Sequence, residues 1–322
     1  MIGTLLSALP SAMLIWPPPK HIDASGPPLA ISPSLSFETS HNSPRLNRIF
    51  DRYTPLLRAA AVANPKDGPM LQRLTITITD AREEDELGVS ERTCYNYSLR
   101  ILPTPAAEIT ACSVFGAMYA IEGVLQMIGT PSGDVPGHLT HSTVAVTDGP
   151  QYAWRGLMID SGRRFFPMPL VKNLLDTMAA VKLNVLHLHA ADFCRFAVES
   201  KTFPNLTASL QGDRAGHYTH ADIGAMISYA ADRGIRVVPE FDVPGHSRGL
   251  LPIEPSVQFC EPSSPSRNQL YDDPEGHTYA AVHALLKEMA GIFSDDVMCA
   301  PSTHPEVARP PTASCSNVPA TT

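Results

Sequence analysis

Hydrophobic and polar positions change rhythm near the middle of the chain. In the first half, strict alternation in LTITIT from Leu74 and in YSLRIL from Tyr97 predicts strands with one buried face. Behind Ser113, which stands where a helix cap would, Val114, Ala117, Ile121, Val124 and Ile128 recur at helical spacing. Strands followed by a helix predict a small α+β domain over residues 1–150, ending at Gly149-Pro150. The second half repeats an apolar strand, a polar loop and an amphipathic helix. WRGLMID leads to a helix from Pro169 with Leu170, Leu174, Met178 and Val181 on one face. NVLHLHAAD leads, after a long loop, to a helix capped by Thr219, with Asp222 as its capping partner and Gly234 as its stop. IRVVPEFD leads to TYAAVHALLKEMAGIF, where Val282, Leu286, Met289 and Phe293 keep the period.

Three βα units in a row predict parallel strands covered by helices over residues 151–298, in either a doubly wound sheet or a (β/α) barrel. Each strand ends in an aspartate: Asp160, Asp192 and Asp242. In both architectures the ligand site lies at the carboxyl ends of the strands, so the three would converge. One aspartate after a strand is more simply a cap for the next loop. Three in phase, joined by Glu240, Arg163, Arg164, His187, His189 and His246, point to a polar site. Glu240 closes an apolar run and must pair or face a cleft, because an unpaired buried carboxylate is costly. A metal held by His187, His189 and His246 is the weaker reading, since no further ligand has diagnostic spacing; neither a metal nor a cofactor is expected.

The bulk numbers narrow the classes. The 322 residues allow one large or two ordinary domains, and a formal charge of -8 gives no basic footprint for nucleic acid. Residues 1–15 fit a secretory signal lacking its basic start, with a buried or frayed N-terminus as the alternative. No apolar run is long enough to predict a membrane span. Six scattered cysteines show no C-x-x-C spacing, which argues against a zinc knuckle and leaves their pairing open. The sequons at Asn96 and Asn205 fit a glycoprotein, secreted or lumenal.

WRGLMIDSGRRFFP, KLNVLHLHAADFCRFAVESKTFPNL and YTHADIGAMISYAADRGIRVVPEFDVPGH together resemble the β-N-acetylhexosaminidases, the family 20 glycoside hydrolases. The likeness covers most of residues 151–298, and IWPPPK and SVFGAMYAIEGVLQMI resemble the start and last helix of that family's N-terminal α+β domain. The resemblance implies an α/β fold: an incomplete (β/α)8 barrel of about three βα units, preceded by the small α+β domain. It implies hydrolysis of terminal β-linked N-acetylglucosamine or N-acetylgalactosamine with retention, the sugar's acetamido oxygen acting as nucleophile. By position it makes Arg163, Asp192 and His246 substrate-binding residues, with Glu240, Asp242 and His189 holding the network behind them. The partners it implies are N-acetylhexosamine-terminated oligosaccharides or glycoconjugates, with a homodimer open to the full-length form, in a lysosome, a vacuole or outside the cell.

Departures from the family pattern are visible. Leu188 stands where an aromatic is usual, and Phe193 where an acidic or polar residue is usual. The family's acid pair lies in H-x-G-G-D-E, which these residues do not contain. Asp295-Asp296 reads as a turn, and His304-Pro305-Glu306 lacks the glycines and the strand. The expectations are therefore no fourth strand, a disordered tail over 299–322 and no turnover, with a non-catalytic carbohydrate-binding or interaction module as the alternative.

Overall fold

The computed structural model describes residues 15–61, 69–80, 90, 92–129, 137–212, 215–262 and 268–299. Apart from Ile15 and Cys299, the expected signal segment and tail lie outside these residues, as do His304, Pro305 and Glu306. The chain divides into two compact units. One holds the described residues up to Trp154 with Met178–Lys182 and Asp232–Gly234; the other holds Arg155–Thr177, Leu183–Ala231 and the described residues from Ile235 onward.

The first unit is built on β1 (His21–Ser25), β2 (Leu29–Thr39), α1 (Pro44–Ala59), β3 (Met70–Ile78), β4 (Tyr97–Ile101), β5 (Ala106–Ala111), α2 (Val114–Gln126), β6 (His138–Leu139) and β7 (Thr143–Asp148). Its sheet runs β1-β7-β4-β5-β3-β2-β6, with β2, β3 and β5 parallel and the remaining pairs antiparallel. Alternation does what the sequence predicts: Tyr97, Leu99 and Ile101 are buried while Ser98 and Arg100 face water. Ser113 caps α2 by accepting from the Phe115 and Gly116 amides. That helix is buried on nearly every side, so its apolar residues are not confined to one stripe. Ser43 likewise caps α1, an amphipathic helix with Pro55 inside it, which turns Leu46, Ile49, Tyr53 and Leu57 inward. Cys94 and Cys112 form a disulfide.

Apart from the last three residues of α3, the second unit contains β8 (Gly156–Asp160), α3 (Met168–Ala180), β9 (Val185–Ala191), a single turn α4 (Asn205–Ala208), α5 (His220–Ala231), β10 (Arg236–Phe241), a 3-10 segment (Ser247–Ile253), the short pair β11 (Gln258–Phe259) and β12 (Leu270–Tyr271), and α6 (His277–Ala290). The strands β8, β9 and β10 are parallel, with β9 in the middle. This is the α/β arrangement of an incomplete (β/α)8 barrel, three βα units in chain order. Thr219 and Asp222 form the expected reciprocal cap of α5, and Gly234 follows at φ 68, a left-handed value that glycine adopts without strain.

Among the described residues the parallel sheet has three strands, with one isolated bridge beyond β10: the Cys299 amide donates to the Pro239 carbonyl at 2.9 Å, and the Phe241 amide to the Cys299 carbonyl at 3.0 Å. Two expectations need correction. The buried stripe of α3 is Val171, Leu175 and Met178, while Leu170 is exposed and Leu174 and Val181 are half-buried. A step of one residue turns a helix face by about 100°, so the face against the sheet is set by contact rather than by the most apolar letters. Finally, Leu157 and Met158 on β8 are exposed, because β8 has a strand neighbour on one side only among the described residues.

Candidate active site

The register places Asp160, His189 and Glu240 side by side across β8, β9 and β10. His189 thus lies between two acidic neighbours. Its Nδ1 is 2.8 Å from Glu240 Oε1, and its Nε2 is 2.8 Å from Asp192 Oδ2. A neutral imidazole has one N–H, whereas two carboxylate acceptors call for two. Burial works to lower the His189 pKa, but the bonds to Asp192 and Glu240 outweigh it and hold the ring above its ordinary value. Glu240 also lies close to His187 Nε2, without a hydrogen bond between them, so this carboxylate stands beside both histidines of β9 and bonds His189.

Asp192 reaches His189 because β9 and β10 slip by one residue after the Glu240–His189 pair, Phe241 then facing Ala191. Two glycines lie against its backbone. A Cβ on Gly162 would fall 2.7 Å from the Asp192 amide nitrogen, and one on Gly249 would fall 2.6 Å from its carbonyl oxygen. The Gly249 amide donates to that carbonyl at 3.1 Å, and the Arg195 amide donates to the Gly162 carbonyl at the same distance. Thus the β8 exit, the β9 exit and the 3-10 segment are joined at Asp192.

Arg163 comes from the turn after β8. Asp160 accepts from its backbone amide at 2.9 Å and from Nη1 at 2.5 Å, while Nη2 lies 2.8 Å from Asp192 Oδ2. Half of the guanidinium side chain remains exposed, although its anchor, Asp192, is fully buried. On the other side, His246 sits at φ 52 at the start of the 3-10 segment. Its Nδ1 is 2.8 Å from Asp242 Oδ2 and 3.8 Å from Asp192 Oδ2. Ser247 pins the turn, its one hydroxyl proton shared between the Pro244 and Gly245 carbonyls, which lie 3.0 and 2.9 Å from Oγ. Burial pushes the Asp242 carboxyl above its ordinary value, against the opposing bond from His246. Asp242 Oδ1 is buried with no hydrogen-bond partner among the described residues.

The six residues singled out in the sequence therefore lie in one continuous network. Arg163 and His246 present exposed polar atoms, Asp192 lies buried between them, and Glu240, Asp242 and His189 stand behind. Two subsets, His189 with Glu240 and Asp242, and Asp192 with Asp242 and His246, approach closely enough to reach one ion; most of their polar atoms already serve one another. Asp295 lies elsewhere, bound by both Arg236 Nε and Nη2 at 2.7 and 2.8 Å, and supplies no acid to this network. Gly162, Gly249 and Arg248 escaped the sequence reading. Gly162 follows the end of β8 closely, which is the signal for tight backbone approach, whereas Gly249 lies within the 3-10 segment and carries no such signal.

Comparison with known proteins matches residues 152–300 to the glycosyl hydrolase family 20 catalytic domain and residues 15–127 to the beta-acetyl hexosaminidase like domain. Beta-hexosaminidase subunit A2 of Dictyostelium discoideum is 35% identical over 270 residues, covering 83% of this chain and 48% of the relative. Beta-hexosaminidase subunit beta of Mus musculus is 31% identical, covering 87% of this chain and 54% of the relative. Among solved structures, the chitobiase of Flavobacterium johnsoniae superposes with a TM-score of 0.69 at 25% identity, covering 88% of this chain and 44% of the other. A mutant Streptomyces plicatus beta-hexosaminidase in complex with its product, GlcNAc, gives 0.67 at 25% identity, covering 89% and 58%. The chain belongs to glycoside hydrolase family 20. It spans about half the length of the curated relatives it matches.

Proposed function

We propose that the chain carries part of the sugar-binding half of a β-N-acetylhexosaminidase site and binds terminal β-linked N-acetylglucosamine or N-acetylgalactosamine. Arg163 offers a fixed fork of donors to the sugar's hydroxyls, and His246 lines the opposite side. Asp192 holds both in place, with Glu240, Asp242 and His189 fixing Asp192 and the turn. The observation that carries this reading is a buried carboxylate, Asp192, set between two exposed polar side chains at the carboxyl ends of parallel strands.

The chemistry proposed for the complete site is substrate-assisted retaining hydrolysis, in which the acetamido oxygen attacks the anomeric carbon and a carboxylic acid protonates the leaving oxygen. The Asp-Glu motif that would orient the acetamido group and supply the proton is not in these 322 residues, so binding without turnover is the expected behaviour of this chain. That also keeps open a non-catalytic carbohydrate-binding module as the second reading. The Cys94–Cys112 disulfide and the exposed Asn96 and Asn205 support a secreted or lysosome-like setting. No described helix is long and apolar enough to cross a membrane.

Incubating the purified 322-residue protein with a chromogenic N-acetylglucosaminide, while following its thermal unfolding with N-acetylglucosamine, tests the proposal. A sugar-dependent rise in Tm without product release is expected. Product release above that of an Arg163→Ala variant would show an acid the account has missed; no rise in Tm would remove the binding claim.

A further inference from the structure

The aromatic that departs from the family pattern stands at the rim of this network. Phe193 is 46% exposed, whereas Phe196, Phe241 and Phe293 of the same unit are buried. A phenyl ring left partly in water gives up part of its burial, although single exposed apolar residues are common and by themselves signify nothing. Phe193 differs in how it is held. Its amide donates to Asp192 Oδ1, so the residue is tied to the buried carboxylate whose other oxygen meets Arg163. The Arg248 guanidinium lies over its ring, 5.7 Å from the centroid. Gly249, next to Arg248, bonds the Asp192 carbonyl, so both members of the aromatic–guanidinium pair are fastened to the same residue.

We propose that Phe193, backed by Arg248, is a platform for the second sugar of an oligosaccharide whose terminal N-acetylhexosamine lies against Arg163, Asp192 and His246. This rests on the sugar-binding reading above and adds to it a residue that selects for chain length. An aromatic face carries partial negative charge and a flat apolar surface, which suits the C–H face of a pyranose ring. A guanidinium on an aromatic ring is held by cation–π attraction and keeps outward N–H donors for hydroxyl or carboxylate groups. The ligand class is therefore a β-linked disaccharide or longer glycan with N-acetylhexosamine at its end.

The test uses the 322-residue protein, N-acetylglucosamine and its β1,4-linked dimer, with calorimetric or NMR titration of both ligands. The dimer is expected to bind about five-fold more tightly than the monomer, the middle of the range for one aromatic contact. In Phe193→Ala and Phe193→Leu that ratio falls to about one, whereas Phe193→Trp retains or raises it. The Leu and Trp variants keep the apolar bulk, so their contrast separates stacking from folding. Equal affinity for monomer and dimer in the unaltered protein overturns the platform and leaves the pocket standing. A ratio unchanged in the Leu variant overturns it too. Binding of neither sugar overturns platform and pocket together.

Discussion

Arg163 and Asp192 are joined by a 2.8 Å contact between an exposed guanidinium and a fully buried carboxylate. The two residues come from different strand exits, yet Asp192 Oδ2 also lies 2.8 Å from His189 Nε2. A surface ion pair alone would contribute little, but one whose carboxylate is buried and shared is costly to break. Asp192→Ala is expected to lower stability by about 3 kcal/mol, because His189 loses a buried acceptor and keeps its polar nitrogen. Urea unfolding of the pair of proteins measures this, and a loss near zero would mean the network is not formed.

The His189 pKa, raised by its two carboxylate partners, links stability to pH. The folded protein holds this proton more tightly than the unfolded chain, so the contribution is complete below the ordinary histidine value of about 6.5. It is lost as pH rises through the folded value. Asp242, raised by burial, acts in the same sense at lower pH. Tm should therefore fall as pH increases above about 6.5, with a shallower fall in His189→Gln. Parallel curves for the two proteins would contradict the assignment.

Gly162 and Gly249 are positions where an added methyl meets the backbone of Ala191, Asp192 or Arg195 at 2.5–2.7 Å. Neither contact is with a flexible side-chain end that could swing aside. Gly162→Ala and Gly249→Ala are each expected to cost about 2 kcal/mol, in the range for overpacking, and to abolish binding of N-acetylglucosamine. Binding that persists in a destabilised variant would show that Asp192 need not be held so closely.

The Thr219–Asp222 cap of α5 provides a contrast, since the hydroxyl and carboxylate bond each other at 2.7 Å away from the network. Thr219→Ala should lower stability by about 1 kcal/mol while leaving sugar affinity within error. Denaturation and ligand titration of the same sample check both halves.

Much of this was legible in the sequence because it is local. The three βα units, the caps at Ser113 and Thr219, and the convergence of strand-end carboxylates follow from periodicity and from the rule that parallel strands place their carboxyl ends together. What escaped depends on distant contacts. The β1 strand carries few apolar letters, and β2 and α1 are interrupted by Pro33 and Pro55; all three are fixed by a sheet whose neighbours are far apart in the chain. The α3 stripe could not be separated from its equally apolar neighbours Leu170 and Leu174 without the sheet beneath it. Within the site, residue types pointed to a wider polar set, from which the family resemblance singled out Arg163, Asp192 and His246; the two hydrogen bonds of His189 and the glycine contacts at Asp192 depend on register and close backbone approach.

The claim that Arg163, Asp192 and His246 form one aminosugar-binding surface is tested most directly by titrating N-acetylglucosamine while recording side-chain NMR signals of Arg163 and His246. The account predicts saturable shifts of both with a single dissociation constant, absent with glucose and lost in Asp192→Asn. Signals that do not move, or that respond equally to glucose, would contradict it.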